Sequence, residues 1–389
     1  MTPVLAIFID ALKPESVEHM EFLRTLYKAR IRTELVNYSN TCHASIYTGV
    51  YPNKHNIQFI WKYSPETSPF KWLRALRVHK LLPVTSLRFV NLIYRIITFL
   101  KSGSSIYGTP FLLYLPLDQW ALFDFDVVKH WGKPDLSLGG YPTIFKILED
   151  CGIKYKVVWA VKNPIKSVKS LVQPKTFNYI FIGKLDPLSH IHGQNSPEVR
   201  SFLKSLDKAL ECKYREFEKK FGDFTFMVFS DHGHIEIENA AKNRINLHKV
   251  FKLHGENLSN YIFFIDAVHA RFWFRNDKER EKVEKIVSRL DNIIIFAKEI
   301  LKKYNANMPD NRYGDLIIHS DWPFVFDTVD EKTKSMHGYF PDYPDSDGVF
   351  IANRKIKESY VKLQDIAPSI LQALGLEIPD YIDGEPIWR

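Results

Sequence analysis

Three short runs in this sequence are rich in β-branched and aromatic residues, and each leads into an aspartate. The runs VLAIFI, YIFIG and FTFMVF predict buried strands, and Asp10, Asp186 and Asp231 follow them. In open α/β folds, ligands bind in the crevice beyond the carboxyl ends of the strands. The sequence therefore predicts a sheet with three carboxylates gathered at a single edge.

Helical patterns alternate with further strand patterns along the chain. Further strands are predicted at 32–38, 154–161 and 348–352. Helices are predicted from about His43, at 141–151 before Gly152, at 198–221, and at 363–374 before Gly375. This alternation indicates an α/β fold with a mixed, mostly parallel central sheet and helices on both faces.

Two segments interrupt this alternation and divide the chain. Residues 61–140 are predicted to be a basic, amphipathic helical insertion, and residues 241–334 a smaller α+β insertion. The principal domain is then assembled from three parts of the chain, 1–60, 141–240 and 335–389.

The cysteines and the N-terminus indicate a compartment. Cys42, Cys151 and Cys212 lack CxxC spacing, which argues against a disulfide framework or a structural zinc site. The chain starts with a predicted strand rather than with a basic region and a cleavable apolar leader. A cytoplasmic protein is therefore predicted.

Six residues supply the donors that a pair of divalent cations needs. They are Asp10, Asp186, Asp231, His190, His232 and His337. Two cations a few ångströms apart activate a nucleophile and neutralise a leaving oxygen in phosphate-ester cleavage, and imidazoles favour zinc-like ions. Asp186 and His190, four residues apart, are expected in a short turn after a strand. Taken singly, such an Asp is most often a turn or cap residue, so the indication comes from the combination.

The same segments resemble the alkaline phosphatase superfamily, and most closely its type I phosphodiesterase / nucleotide pyrophosphatase group. The matching motifs are FIDAL at the start, Ser39-Asn-Thr-Cys-His, Thr48-Gly-Val-Tyr-Pro-Asn-Lys-His55, Asp186-x3-His190-x2-Gly193, Ser-Asp-His-Gly at 230–233, His-Gly-Tyr at 337–339, and the ending DIAPSILQALGLEIPDYIDGEPI. The resemblance covers about 1–60, 141–240 and 335–389, and it implies an alkaline-phosphatase-like fold.

The resemblance also implies roles for these residues. One metal ion, a zinc in this group, would be held by Asp10, Ser39, Asp231 and His232, and the second by Asp186, His190 and His337. Ser39 would be the nucleophile and would form a covalent phosphoenzyme. Its place ahead of a helix would bring backbone N–H groups to the phosphate oxygens.

The nucleophile segment departs from the group's pattern at two positions. Ser39 stands where the group has Thr, and Thr41 is the alternative nucleophile. Cys42 stands where the group has an Asn that contacts a phosphate oxygen, so Asn40 and Cys42 are the candidate substrate-binding residues. A sulfatase-type cysteine nucleophile is excluded because Cys42 lacks the C-x-P/A-x-R context.

Residues 67–117 contain no Asp or Glu, although they include seven basic residues. Two amphipathic helices are predicted there, at 70–82 and 88–101, with Phe70 and Trp72 as interfacial anchors. Neither offers about 18 consecutive uncharged apolar residues, so a membrane span is not predicted. Three interpretations stay open: a packed cap with solvated charges, a lid for an apolar or lipid-linked substrate, and peripheral attachment to an anionic membrane. Nucleic acid is not an expected partner.

These observations together predict a hydrolase of phosphodiester or pyrophosphate-type bonds that uses two divalent ions, expected to be Zn²⁺, and acts on a small phosphate-ester or lipid-linked substrate. A phosphomonoesterase is the nearest alternative. An alternative of another class is a membrane-associated binding protein that keeps the fold without turnover, and the presence of all six metal donors argues against it.

Overall fold

The computed structural model describes residues 2–75, 96, 110–129, 134–171 and 174–388. The strands of its two larger sheets are, in chain order, β1 (Val4–Ile9), β2 (Tyr27–Arg32), β3 (Tyr155–Trp159), β4 (Phe177–Ile182), β5 (Thr225–Phe229), β6 (Ile262–Ile265), β7 (His269–Trp273), β8 (Ile293–Ile295), β9 (Leu316–Ser320), β10 (Gly348–Ala352) and β11 (Tyr360–Lys362). In the same part of the chain, the α-helices are α1 (Ser39–Thr48), α2 (Pro52–His55), α3 (Lys71–Ala75), α4 (Ile144–Asp150), α5 (Pro164–Lys169), α6 (Leu185–His192), α7 (Pro197–Phe221), α8 (Leu247–Leu253), α9 (Asp277–Val287), α10 (Lys298–Lys303) and α11 (Ile366–Ala373).

The central sheet has seven strands in the order β11-β2-β10-β5-β1-β4-β3. β1 pairs in parallel with both β4 and β5, and β10 runs antiparallel to its two neighbours. Ile9 lies opposite Ile182 and Phe8 opposite Phe229, so the three central strands end at the same edge. The predicted mixed, mostly parallel sheet is confirmed.

Alternate residues of β1 enter two apolar clusters on opposite faces of this sheet. Val4, Ala6 and Phe8 pack on one face with side chains of α1, α4 and α11. Leu5, Ile7 and Ile9 pack on the other face with α7. Because both faces are covered, the strands are apolar throughout, which explains why the sequence shows unbroken apolar runs.

Three predicted elements differ from the structure. The segment 32–38 was predicted as a strand, but β2 ends at Arg32 and the chain then leads irregularly into α1. Leu35 and Val36 are buried beside Phe59 in a separate apolar cluster. The apolar residues of 32–38 therefore reflect local burial rather than pairing in the sheet. α1 begins at Ser39 rather than near His43, and the first residues of 141–151 form a two-residue strand before α4.

The described parts of the two insertions share one core. The second sheet, in the order β6-β7-β9-β8, is antiparallel throughout. Strands Trp61–Tyr63 and Phe123–Phe125 pair with each other, and Trp61 and Phe123 join the apolar cluster of Phe264 and Trp273. Segments 61–140 and 241–334 therefore pack against each other at this cluster.

The basic segment is described only at its two ends. Phe70, predicted as an interfacial anchor, is instead fully buried, with its ring centroid 5.4 Å from that of Trp120. The predicted helix 88–101 and most of 70–82 lie outside the described residues. Among the helices of the described part, none is long and apolar enough to cross a membrane.

Candidate metal centre and nucleophile

The carboxyl edge of the central sheet positions the three predicted carboxylates. Asp10 directly follows β1, and its N–H donates to the carbonyl of Ile182 at 2.9 Å. Asp231 lies two residues beyond β5. Asp186 is on the first turn of α6 rather than in a turn, so His190 lies one helical turn further along the same face.

Ser39 is placed at this edge by the start of α1. Tyr38 is extended (φ −76°, ψ 141°), and the helix starts at Ser39. The first N–H groups of a helix have no intrahelical acceptor and carry the positive end of its dipole. The hydroxyl of Ser39 therefore shares its position with unpaired backbone donors.

Four side chains form one set of donors, called here the Asp186 group. Its members are Asp186, His190, His234 and His337, and one donor atom of each lies within 4.8 Å of every other. The Oδ1 atom of Asp186 is 2.8 Å from the Nε2 atom of His234, 3.3 Å from that of His190 and 3.7 Å from that of His337. An anionic oxygen thus lies among three imidazole nitrogens.

The second set, called the Ser39 group, consists of Asp10, Ser39, Asp231 and His232. The Nε2 atom of His232 lies 3.3 Å from Ser39 Oγ, 3.3 Å from Asp231 Oδ2 and 3.7 Å from Asp10 Oδ1. Ser39 Oγ is 3.5 Å from Asp10 Oδ1. Asp186 also lies within 4.8 Å of donors of Asp10 and His232, so the two groups adjoin at Asp186. Asp231 and His232 both face the Ser39 group, as the resemblance implies.

The charges in both groups shift the pKa values of their members. Burial and the nearby carboxylates of Asp231 and Asp186 raise the pKa of Asp10 well above its usual value. Burial acts in the same direction on Asp186, but His190 and His234 outweigh it, so the pKa of Asp186 lies well below its usual value. Burial lowers the pKa of His234 to about 3 and lowers that of His337 well below its usual value. Both imidazoles are therefore neutral near pH 7, the form that binds metal ions.

In each histidine of the two groups, the Nδ1 atom contacts a polar partner that lies away from the centre. His190 Nδ1 lies 2.9 Å from the carbonyl oxygen of Ser335, and His232 Nδ1 lies 3.0 Å from that of Gly233. His337 Nδ1 lies 3.3 Å from the carbonyl oxygen of Asn37. Since a carbonyl only accepts, these rings carry hydrogen on Nδ1 and turn Nε2 towards the centre, which is the nitrogen through which a neutral ring of this tautomer binds a metal ion.

An unpaired carboxylate oxygen supports the same interpretation. The Oδ1 atom of Asp231 accepts from the N–H groups of Ala11 and His232. Its Oδ2 atom is completely buried, 3.3 Å from the Nε2 atom of His232, and has no hydrogen-bond partner among the described residues. A buried anionic oxygen is costly without a counter-charge. The donor set therefore fits divalent cations in both groups.

The structure separates the two candidate nucleophiles. The hydroxyl of Thr41 is fully buried and donates to the carbonyl of Gln58, whereas that of Ser39 faces Asp10 and His232. This geometry favours Ser39.

The two candidate substrate-binding residues also differ in their surroundings. Asn40 Oδ1 accepts from the N–H of Val128 at 2.8 Å, and its buried Nδ2 has no partner among the described residues. The Sγ atom of Cys42 is buried in an apolar cluster, 3.6 Å from Thr33 Oγ1. Cys42 is thus a packing residue, and its contact with substrate stays a prediction.

Three residues of the site were missed from the sequence. His234 follows His232 by two positions, and only that spacing could have indicated it. Ser335 contacts two histidines, through its carbonyl to His190 and through Oγ to His234 Nδ1 at 2.9 Å. Asn37 holds the His337 loop by accepting from the N–H of Gly338 and donating to the carbonyl of Tyr339. The local sequence around Ser335 and Asn37 carries no signal for these roles, because the contacts are long-range.

This fold, with two adjoining groups of metal donors and a serine at the start of a helix, is typical of one class of proteins. That class is the metal-dependent phosphoesterases. The family model described as type I phosphodiesterase / nucleotide pyrophosphatase matches residues 120–340. This match spans more than half of the chain, so the chain belongs to that family, within the alkaline phosphatase superfamily, and is a hydrolase acting on phosphodiester or pyrophosphate bonds.

Solved structures support the fold over the full chain. Human ectonucleotide pyrophosphatase / phosphodiesterase 5 superposes with a TM-score of 0.68 at 12% identity, covering 99% of this chain and 97% of that chain. The murine protein of the same name gives 0.65 at 12% identity, covering 97% and 96%, as does its inactive variant in complex with AMP. At this identity, the likeness concerns the fold alone. A comparison with curated proteins found no match.

Proposed function

We propose that the protein hydrolyses a phosphodiester or pyrophosphate bond through a covalent phosphoserine at Ser39, with one zinc ion in the Asp186 group and one in the Ser39 group. The observation that carries the proposal is the position of Ser39 Oγ, 3.3 Å from His232 Nε2 and 3.5 Å from Asp10 Oδ1 at the start of α1. Two divalent ions at such a site would stabilise the negative charge on the nucleophile and on the leaving oxygen.

The chain's own residues account for both halves of the reaction. Ser39 Oγ forms a bond to phosphorus while the bond from phosphorus to the leaving oxygen breaks, and the hydroxyl proton of Ser39 is directed towards Asp10. Water then attacks the phosphoserine, which releases the phosphate product and returns the hydroxyl of Ser39.

Donors for the phosphate oxygens come from the start of α1. The backbone N–H groups of Ser39 and Asn40 have no acceptor within the helix because of their position in its first turn. The side-chain Nδ2 of Asn40 is buried without a described partner, and its orientation is set by the contact of Oδ1 with Val128. Asn40 is therefore our candidate for the phosphate contact.

The charges of the site favour a diester over a monoester. No described Lys or Arg forms an ion pair with Asp10, Asp186 or Asp231, so the described part of the chain adds no cation beside these carboxylates for a doubly charged phosphate. A phosphomonoesterase remains the alternative of the same superfamily.

The family and one of the similar structures support a proposal for the substrate class. The murine ectonucleotide pyrophosphatase / phosphodiesterase 5 variant is a complex with AMP. By analogy, a nucleotide or another small phosphate ester is the proposed substrate here, and a lipid-linked ester is a variant of the same proposal.

Hydrolysis of bis-(p-nitrophenyl) phosphate, compared with that of p-nitrophenyl phosphate, tests the proposal. We expect faster turnover of the diester, its loss on treatment with a chelator, and its return on addition of Zn²⁺. Equal rates with and without chelator would contradict the metal requirement, and a preference for the monoester would favour the alternative.

We propose separately that residues 67–117 make peripheral contact with a membrane. A cytoplasmic location of the protein is likewise a proposal. The support is the seven basic residues without an acid, each expected to add roughly 1 kcal/mol at an anionic surface. Sedimentation with phosphatidylserine vesicles should decrease as salt increases. Absence of binding at low ionic strength would leave the packed cap or the lid as the better interpretation.

A further inference from the structure

His234 is part of the Asp186 group by position, although the sequence motifs assign no role to it. The residue is completely buried, and its Nε2 atom is 2.8 Å from Asp186 Oδ1, closer than that of His190 or His337. Two roles fit such a distance. His234 either donates a hydrogen bond that orients Asp186, or it presents a lone pair to the same cation.

The partners of Ser335 decide which nitrogen of His234 carries hydrogen. Ser335 Oγ donates its only hydrogen to the carbonyl of Ser189, at 2.7 Å. The same oxygen lies 2.9 Å from His234 Nδ1, so Nδ1–H must be the donor in that contact. His234 therefore turns Nε2 towards the carboxylate oxygen of Asp186, as His190 and His337 do. A cation beside both atoms would accommodate this approach of 2.8 Å without a hydrogen on Nε2.

The separations within the group match four donors around one ion. Zinc bonds of about 2.0–2.2 Å at tetrahedral angles place neighbouring donors roughly 3.3–3.5 Å apart. The distances from Asp186 Oδ1 to the Nε2 atoms of His234, His190 and His337 are 2.8, 3.3 and 3.7 Å. These distances lie on both sides of the expected range.

We propose that His234 is a fourth protein ligand of the metal held by Asp186, His190 and His337. The inference rests on the proposed metal sites. His234 thereby completes a set of four protein donors, the number that a tetrahedral zinc site takes. Both groups then offer four donors, and the Asp186 group, with three imidazoles against one in the Ser39 group, is expected to bind zinc more tightly.

Zinc affinity of the full-length protein, measured by competition with a chromogenic chelator, tests this role. We expect His234→Gln to weaken the tighter of two zinc sites by more than about 100-fold, because an amide is a poor zinc ligand. Loss of an outer-shell partner costs about 10–100-fold, and Ser335→Ala provides that comparison in the same group. His192→Gln is the matched control, since His192 lies on α6 but faces Glu198 at 3.9 Å.

The outcomes distinguish this inference from the proposed function. If wild-type protein binds two zinc ions and His234→Gln weakens neither more than Ser335→Ala does, His234 only positions Asp186 and the inference is overturned. If wild-type protein binds no zinc, the proposed function fails with it.

A measurement on wild-type protein covers the case in which the variant does not fold. X-ray absorption of protein loaded with one equivalent of Zn²⁺ should show three imidazoles and one oxygen. Two imidazoles with two oxygens would overturn the inference.

Discussion

The imidazole rings of His232 and His337 stack face to face, with centroids 4.1 Å apart and an angle of 16° between their planes. His232 belongs to the Ser39 group and His337 to the Asp186 group. The stacking therefore joins the two groups directly, in addition to the shared proximity of Asp186. Because both rings are anchored through Nδ1, the separation of the two sites is set by backbone carbonyls rather than by flexible side chains.

Replacement of Ser39 by Ala should abolish turnover while leaving both zinc ions bound. The loss expected on removal of a nucleophile is at least about 10³-fold, since residual rates come from binding alone. The remaining donors, two carboxylates and one imidazole, still hold the ion of the Ser39 group. Rates on the diester substrate and metal analysis of the purified variant are the measurements. Activity that survives in Ser39→Ala but disappears in Thr41→Val would identify Thr41 as the nucleophile.

Variants of Asp186 and variants of His190 should lose different numbers of metal ions. Asp186 lies within reach of both groups, so Asp186→Asn is expected to weaken both zinc sites. His190 contacts the Asp186 group alone, so His190→Ala should weaken one site. Zinc stoichiometry after dialysis against a weak chelator tests the difference. Loss of a single ion in both variants would show that Asp186 serves one group only.

The free energy of unfolding should depend on pH through Glu34, which belongs to neither metal group. Burial raises the pKa of Glu34 to about 7, and its Oε1 atom accepts from Ser45 and Gln364. Between about pH 4.5 and 7 the folded state therefore binds more protons than the unfolded state, so stability decreases as pH rises across that window. Glu34→Gln should remove this decrease, which amounts to roughly 3 kcal/mol at pH 8.

Denaturant unfolding of wild type and Glu34→Gln at pH 4.5 and pH 8 provides the measurement. The two proteins should differ more at pH 8 than at pH 4.5, with the variant the more stable at the higher pH. A difference that does not change with pH would mean that Glu34 has the same pKa in the folded and the unfolded protein.

Gly338 should be required for the position of His337. Its φ is +100°, and a Cβ atom there would lie 2.5 Å from Val268 Cγ2. Gly140 has a similar φ of +89° but open space around the same position, so Gly140→Ala is the matched control. Both substitutions carry a strain of about 1–3 kcal/mol, but Gly338→Ala alone should also weaken zinc binding in the Asp186 group. Equal zinc affinity in the two variants would show that the loop tolerates the displacement.

The sequence assigned seven of the eight members of the two groups. Six of these seven, all but Ser39, were assigned because each lies in a short local pattern. Asp10 and Asp231 follow apolar runs, and a strand end is visible locally since a buried strand must be apolar. Ser39, by contrast, looks like any residue before a helix. The structure separates it from Thr41 only through the distant carbonyl of Gln58 and the nitrogen of His232.

The sequence by itself determined the class of fold, the family resemblance and the carboxylates at the sheet edge, because these depend on periodicity and on contiguous motifs. Only the tertiary structure decided that His234 joins His190 and His337, that Ser335 orients two of these rings, and that Cys42 packs inward. The physical reason is that hydrogen-bond partners fix which nitrogen of each imidazole is free. Those partners lie up to 300 residues away in the chain, where no local pattern connects them.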